Sequence, residues 1–456
     1  MILLPFFISC AIGYFLISLL FKNFRPFSSG LHIALSVGLG WGVSGLLTFL
    51  LFLIVGHYDR TAILGLNIFI LFALMTANII FSKQKAYTQQ PLSKKINLIT
   101  ILTIPVWIAL YLAVSYTANA HPYGEWDAWA IWNMKTKFLI FGGDNWKWIY
   151  TKLDWSARPD YPLLLSLINV WNYAVSQIKL VRIPLMTAVM LTFSTGLLLQ
   201  FALKRFASPA VGLLAIVILL ANPFFIFQAT SQYADSLLGY YLLAGFVTVS
   251  LLFRERNDHY AYLAGSVFGL LAATKNEGMV MSIIFLMLIS VYTLTDKTLE
   301  HPLKIKMLKK FFLSLLVSAL ATMYLKTFLA QHSHDIIVDP RQTQLNYFNQ
   351  DGLALIFKST VEEMINKRWS CIWIFTGVLI LLGNRQLFWN ECKIFSLFFI
   401  IYAVILVIVY TTTTGFDLSW RIKNTLARIL SYFLPSVLYF AFYINWRRTQ
   451  ETSHAS

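Results

Sequence analysis

The sequence predicts an all-α fold of the polytopic membrane type. Three observations predict it. Hydrophobic residues fill 58% of the 456 positions and charged residues only 12%, with a mean hydropathy of +0.66; soluble domains carry about twice that share of charge. Apolar runs of about 18 residues or more recur from end to end, each able to cross a hydrocarbon core of ~30 Å. The lysines and arginines gather in the short turns between the runs, as the positive-inside bias demands.

Taken in order, the candidate spans are about 2–21, 31–56, 62–82, 97–117, 183–203, 208–228, 235–253, 260–274, 279–295, 311–330, 369–384, 394–411 and 429–446, about 13 in all. The first run has no basic n-region and no small-residue cleavage site, so it reads as a retained span. Segment 163–178 (LLLSLINVWNYAVSQI) is apolar but short and partly amphipathic. The lysines at 83–95 set that turn in the cytoplasm and the 118–162 loop outside. Later basic turns stay inside only if 163–178 is re-entrant or lies at the surface. The polar clusters at 121–162, 230–235, 275–277, 331–368 and 412–428 then share the outer face. Residues 1–96 read as accessory helices, 97–446 as the main domain, and 447–456 as a short tail.

The net charge of +16 is spread over these turns, which points to anionic headgroups and not to nucleic acid. Cys10, Cys371 and Cys392 sit in or beside apolar runs without metal-ligand spacing, as buried thiols do. No repeat of two similar halves with matched helix breaks is visible, which argues against an inverted-repeat transporter.

The 121–162 interval is the longest polar and aromatic stretch. It holds Glu125, Asp127, Asp144, Asp154 and Asp160, a quarter of the 20 carboxylates, among many tryptophans. An interfacial collar explains the aromatic rings; a chemical site explains the acids as well. Glu125 and Asp127, two residues apart, do not share a helical face, so one at most points into a given site. A carboxylate held against Trp126 and Trp129 would be partly desolvated, which favours a general base. Arg158 and Asp160 read as a surface pair beside Tyr161, before a turn at Pro162. Asp235 opens a span, where the helix dipole stabilises an acid and an ionisable group is also a functional candidate. Lys275 and Glu277 interrupt an apolar hairpin, a costly choice unless they pair or bind something; a lysine there suits a phosphate. Arg421, Lys423 and Arg428 precede the last span on the wrong side for the charge bias, as cations facing an anionic ligand would. His332, His334, Asp335 and Asp339 lack a third ligand with convincing spacing, so no metal is expected.

At these residues the chain resembles the GT-C superfamily of membrane glycosyltransferases, in the branch of protein mannosyltransferases, aminoarabinose transferases and rhizobial lipid A sugar transferases. GEWDAWAIWNMKTKFL (124–139), RPDYPLLLSL (158–167), NPFFIFQATSQYADSLLGYYLLAG (222–245), LAGSVFGLLAATKNEG (263–278), VEEMINKRWSCIWIF (361–375) and SWRIKNTLARILSYFLP (419–435) carry the resemblance in the family's order. It implies a GT-C-like fold with a structured external first catalytic loop. The implied reaction moves a sugar from a polyprenyl-phosphate carrier to a lipid, glycan or protein acceptor outside the bacterial plasma membrane. Asp127 takes the position of the catalytic acid, with Glu125 as the neighbouring alternative. Asp127 is followed by Ala128, where many relatives have a second carboxylate, so that second role does not transfer. Asp235 and Lys275 match the family's Ala-Asp and Thr-Lys. Asp160, Tyr161, Glu277, Arg421, Arg428, Trp126 and Trp129 complete the expected substrate contacts, with no cofactor beyond the lipid-phosphate sugar. Three other classes stay open: a ligase or polymerase acting on a diphosphate-linked glycan, a lipid-linked-glycan transporter, and a non-catalytic assembly subunit.

Overall fold

The computed structural model describes residues 3–21, 28–81, 98–151, 158–330, 350–385, 392–412 and 417–454, without the side chains of 100 and 446–454. The lysines of the 83–95 turn, Asp154, and the His332, His334, Asp335 and Asp339 group lie outside the described residues. Among the described residues every regular element is a helix.

The chain opens with α1 (Leu4–Leu20), α2 (Ser29–Val55), α3 (Arg60–Phe81) and α4 (Leu98–Ala120). The polar interval follows as a π-turn (Ala128–Trp132), α5 (Asn133–Phe141) and a 3-10 turn (Gly143–Tyr150). Next come α6 (Leu164–Ser176), α7 (Arg182–Phe206), α8 (Pro209–Leu220), α9 (Pro223–Thr230), α10 (Ala234–Glu255), α11 (His259–Ala272), α12 (Asn276–Thr295) and α13 (His301–Tyr324), which ends in a π-turn (Leu325–Leu329). The chain closes with α14 (Gln350–Met364), α15 (Ile372–Leu382), α16 (Lys393–Thr412) and α17 (Leu418–His454). Nine helices among the described residues are long and apolar enough to cross a membrane, or ten if α8 and α9 are one broken span. The architecture is polytopic and helical, with wide apolar faces on α3 and α4 left outside the packed core.

Small residues set the closest helix contact. Ser9 and Gly13 of α1 face Ser36, Gly40 and Ser44 of α2, a spacing of four that stacks small side chains along one face. A Cβ on Gly40 would stand 1.6 Å from the Ser9 carbonyl oxygen, so only glycine fits there. α2 also packs on α6, α7, α10, α11 and α13. The Tyr240 and Tyr241 hydroxyls of α10 donate to the α2 carbonyls of Ala34 and Gly38 at 2.6 and 2.7 Å. α2 therefore lies inside the bundle, although it falls in the 1–96 segment.

Two local outcomes refine the span pattern. Segment 208–228 is expected as one span, but the chain bends by 74° between α8 and α9. Asn222 caps α9 by accepting from the Phe225 amide at 2.7 Å, and Pro223 starts the new helix. α6, of 13 residues and ~20 Å, does not cross the bundle. The Leu164 amide donates to the Ala273 carbonyl, while the Ala174 carbonyl accepts from Arg60 at the head of α3. Both its ends thus sit at one end of the bundle, and all but one of its residues are buried.

The bundle has two unlike ends. One gathers the C-terminal ends of α4, α11 and α13 with the starts of α6, α10 and α12. The other carries the basic turns, where Arg205 pairs with Glu255 at 2.8 Å and Lys306 and Lys310 clasp Asp258 at 2.9 and 2.6 Å.

Candidate active site

The first end holds an ionic row drawn from four distant parts of the chain. Asp127 enters the π-turn after α4, and its loop is fixed against the turn before α10. The Glu125 amide donates to the Ser231 carbonyl at 3.2 Å, Gln232 donates to the Pro122 carbonyl at 3.1 Å, and Asn133 donates to Gln232 at 2.9 Å. Gly124 permits this approach with φ +70°; a Cβ there would meet the Ser231 carbonyl oxygen at 2.6 Å. Asp127 Oδ2 then accepts from Arg428 Nη1 of α17 at 2.6 Å. The same guanidinium reaches Asp235 Oδ2 through Nε at 2.8 Å and Nη2 at 2.7 Å, lying 4.3 Å over the Tyr233 ring. Asp235 Oδ1 meets Lys275 at 3.0 Å, and Lys275 meets Glu277 at 2.8 Å. Asp235 and Lys275 are buried, at 4% and 7% exposure, which forces each to have a partner.

A second cluster adjoins the row through Tyr161, whose ring lies under Lys275 at 5.8 Å and Arg158 at 4.9 Å and stacks on Trp132 at 5.7 Å. Burial raises its hydroxyl above the ordinary tyrosine value. Asp160 is buried: it accepts from Asn276 Nδ2 at 2.6 Å and stands 3.9 Å from Arg158. The expected surface pair is thus an interior one, because Pro162 and α6 carry the turn into the core. Lys326, in the π-turn after α13, donates to Asn276 Oδ1 at 2.7 Å and to the Asp160 carbonyl. Lys135 of α5 is fully buried and donates to the carbonyls of Arg158 at 2.6 Å and Tyr161 at 3.4 Å.

The remaining sequence candidates stand apart. Glu125 is partly exposed, with His121 at 3.4 Å. Trp126 and Trp129 are 62% and 51% exposed and pack edge-on against each other at 4.3 Å, so the enclosure expected around Asp127 gives way to the Arg428 pair. Arg421 is buried and donates to the Tyr410 carbonyl of α16 at 3.0 Å, about two turns before Arg428. Asp235 also lines a half-open groove between α7, α9, α10 and α17, beside Gln228, Ser236, Ser431 and Tyr432. No group of three His, Cys, Asp or Glu among the described residues is placed to hold a metal.

Sequence reasoning missed Lys135 and Lys326. Lys326 is an ionisable residue inside an apolar run, a signal that was there to use. Lys135 has no such mark: Lys137, two residues on, is exposed. Burial lowers the Lys135 ammonium to about 7, against 10.5 ordinarily; Asp160 opposes the shift, and Lys326 and Arg158 add to it. The unfolded chain therefore binds more protons between those values, and stability from this group rises as pH climbs from about 7 to 10.5. Thermal unfolding at a series of pH values is expected to show wild type gaining on Lys135→Met across that window. A constant difference between the two would show that Lys135 does not titrate there.

Compared with known proteins, the chain matches no family model, no curated protein and no solved structure.

Proposed function

We propose that this protein is a membrane glycosyltransferase of the GT-C kind. It transfers a sugar from a polyprenyl-phosphate donor to a lipid, glycan or protein acceptor on the outer side of a bacterial plasma membrane. The observation that carries the reading is the row Asp127–Arg428–Asp235–Lys275–Glu277. A membrane anchor gains nothing from assembling five ionised groups out of four segments, whereas glycosyl transfer needs a fixed carboxylate and fixed cations in one place. The basic turns at the opposite end favour a cytoplasmic position for that end, which turns the row outward. We read α1, α8–α9, α11 and α15 as further crossings beside the other nine, which gives the 13-span GT-C arrangement.

In the proposed reaction Asp127 takes the proton of an acceptor hydroxyl. Arg428 holds Oδ2, and Oδ1 has no partner among the described residues. The hydroxyl oxygen forms a bond to the anomeric carbon while the bond from that carbon to the phosphate oxygen breaks, its electron pair leaving with the phosphate. The transition state has oxocarbenium character, which nearby carboxylates stabilise, and a single displacement inverts the anomeric centre. The cations of the site meet the charge gathering on the phosphate. A transporter is the less favoured reading, since the charged residues of α7 lie at its ends, leaving an uncharged middle.

The test is transfer by the full-length protein in proteoliposomes from a panel of labelled polyprenyl-phosphate sugars. Transfer with inversion supports the reading. Transfer only from diphosphate-linked glycans replaces it with the ligase, and vesicle flipping without transfer replaces it with the transporter.

A further inference from the structure

The cations of this site are not equally committed. Arg428 is saturated by two carboxylates, Asp127 and Asp235, and Lys275 by two, Asp235 and Glu277, all at 3.0 Å or less. That row holds two cations against three carboxylates and carries a net negative charge. An arriving phosphate would meet repulsion there before it met a cation. The lysines of the second cluster differ. Lys135 donates to two neutral carbonyls, and Lys326 donates to a carbonyl and an amide oxygen. Neutral oxygens orient an ammonium without cancelling its charge. The carboxylate nearest Lys326 among the described residues is Asp160, at 4.0 Å, and Asp160 already serves Asn276 and Arg158. With Lys326 and Arg158 set against Asp160, this cluster has one positive charge in excess whatever the state of Lys135, and Lys326 is 26% exposed on its side chain.

Resting on the transferase reading, we propose that the phosphate of the lipid-phosphate donor docks on Lys326, over the buried Lys135, and not on Lys275 or Arg428. Among the described residues Lys326 has a third N–H with no acceptor, and the other two fix its ammonium in place. The sugar then bridges from the positive cluster to the negative row. Its leaving oxygen faces an ammonium, and its anomeric carbon, which becomes cationic, faces carboxylates. Lys275 becomes a positioning residue that holds Asp235 and Glu277.

The experiment measures lipid binding to the full-length protein in phosphatidylcholine nanodiscs. The probes are a polyprenyl monophosphate, the polyprenol of equal length, phosphatidylglycerol and inorganic phosphate. Wild type should bind the monophosphate at least about tenfold more tightly than the polyprenol, the worth of a charge-assisted hydrogen bond. Lys326→Gln, which keeps a donor for the Asp160 carbonyl, should lose that preference, and Lys326→Arg should retain most of it. Lys306→Met, at the opposite end, should bind as wild type does. A preference intact in Lys326→Gln overturns this docking site and leaves the transferase reading standing. Wild type without any preference overturns the lipid-phosphate donor itself. Equal competition by phosphatidylglycerol or inorganic phosphate overturns a site built for a lipid monophosphate. Should Lys326→Gln fail to fold, amine labelling of wild type decides. The monophosphate should protect Lys326 and the polyprenol should not, with the exposed Lys358 labelled in both; equal labelling of Lys326 overturns the proposal.

Discussion

Asp127→Asn is expected to lower sugar transfer by about 10²- to 10⁴-fold, the range a general base contributes. The asparagine keeps the shape and one hydrogen-bond acceptor for Arg428 but cannot take a proton. The variant should fold, because the Asp127 side chain is 24% exposed and Arg428 retains Asp235. Turnover and kcat/KM should fall together, since the lost interaction belongs to the transition state. Glu125→Gln is the matched control. Glu125 has His121 as its neighbour at 3.4 Å and forms no ion pair with a member of the row, so its loss should change transfer by no more than about twofold. Assays of both variants in proteoliposomes, with folding checked by thermal unfolding, decide between them. Activity that survives in Asp127→Asn but collapses in Glu125→Gln would move the base by two residues.

Much of the fold was legible because a bilayer imposes coarse rules. Span length placed the long apolar helices, and charge in the turns required 163–178 to be something other than a crossing. The break at Asn222–Pro223 was also written in the sequence, as a capping residue followed by a proline, but the apolar run on both sides hid it. The row was legible in its members and not in its pairing. Arg421 and Arg428 are seven residues apart on α17 and so lie on nearly the same face. Which of them stands level with Asp235 depends on how far α17 is shifted along α10, and no local pattern encodes that. The carbonyl partners of Lys135 and Lys326 were hidden for a related reason. Those partners belong to a turn whose backbone direction is set by α6 packing beneath it, not by neighbours in the chain.

Asp235 is expected to be the most costly single residue of the row. It is 4% exposed, and its two oxygens serve different cations, Oδ2 for Arg428 and Oδ1 for Lys275. It thereby ties α10 to α17 and to the α11–α12 turn. Breaking a buried pair by removing one partner destabilises by about 3–5 kcal/mol, and here two buried cations, Arg428 and Lys275, each lose one of their two counter-charges at once. Asp235→Leu should fall in that range, and Asp235→Asn, which keeps some hydrogen bonding, below it. Glu277→Gln should cost about 1 kcal/mol or less, since its side chain is 32% exposed and Lys275 keeps Asp235. Adding Lys275→Met to Asp235→Leu should recover part of the loss, as the double change removes one orphaned charge along with its partner. Unfolding midpoints in detergent or nanodiscs give all four values. A neutral Asp235→Leu would mean that apolar packing alone holds α10, α12 and α17 in register. A large loss with partial recovery would mean that the same charges fix the helices and preorganise the site. Transfer in the double variant then separates the two roles: stability returns in part, and activity, which needs the row itself, does not.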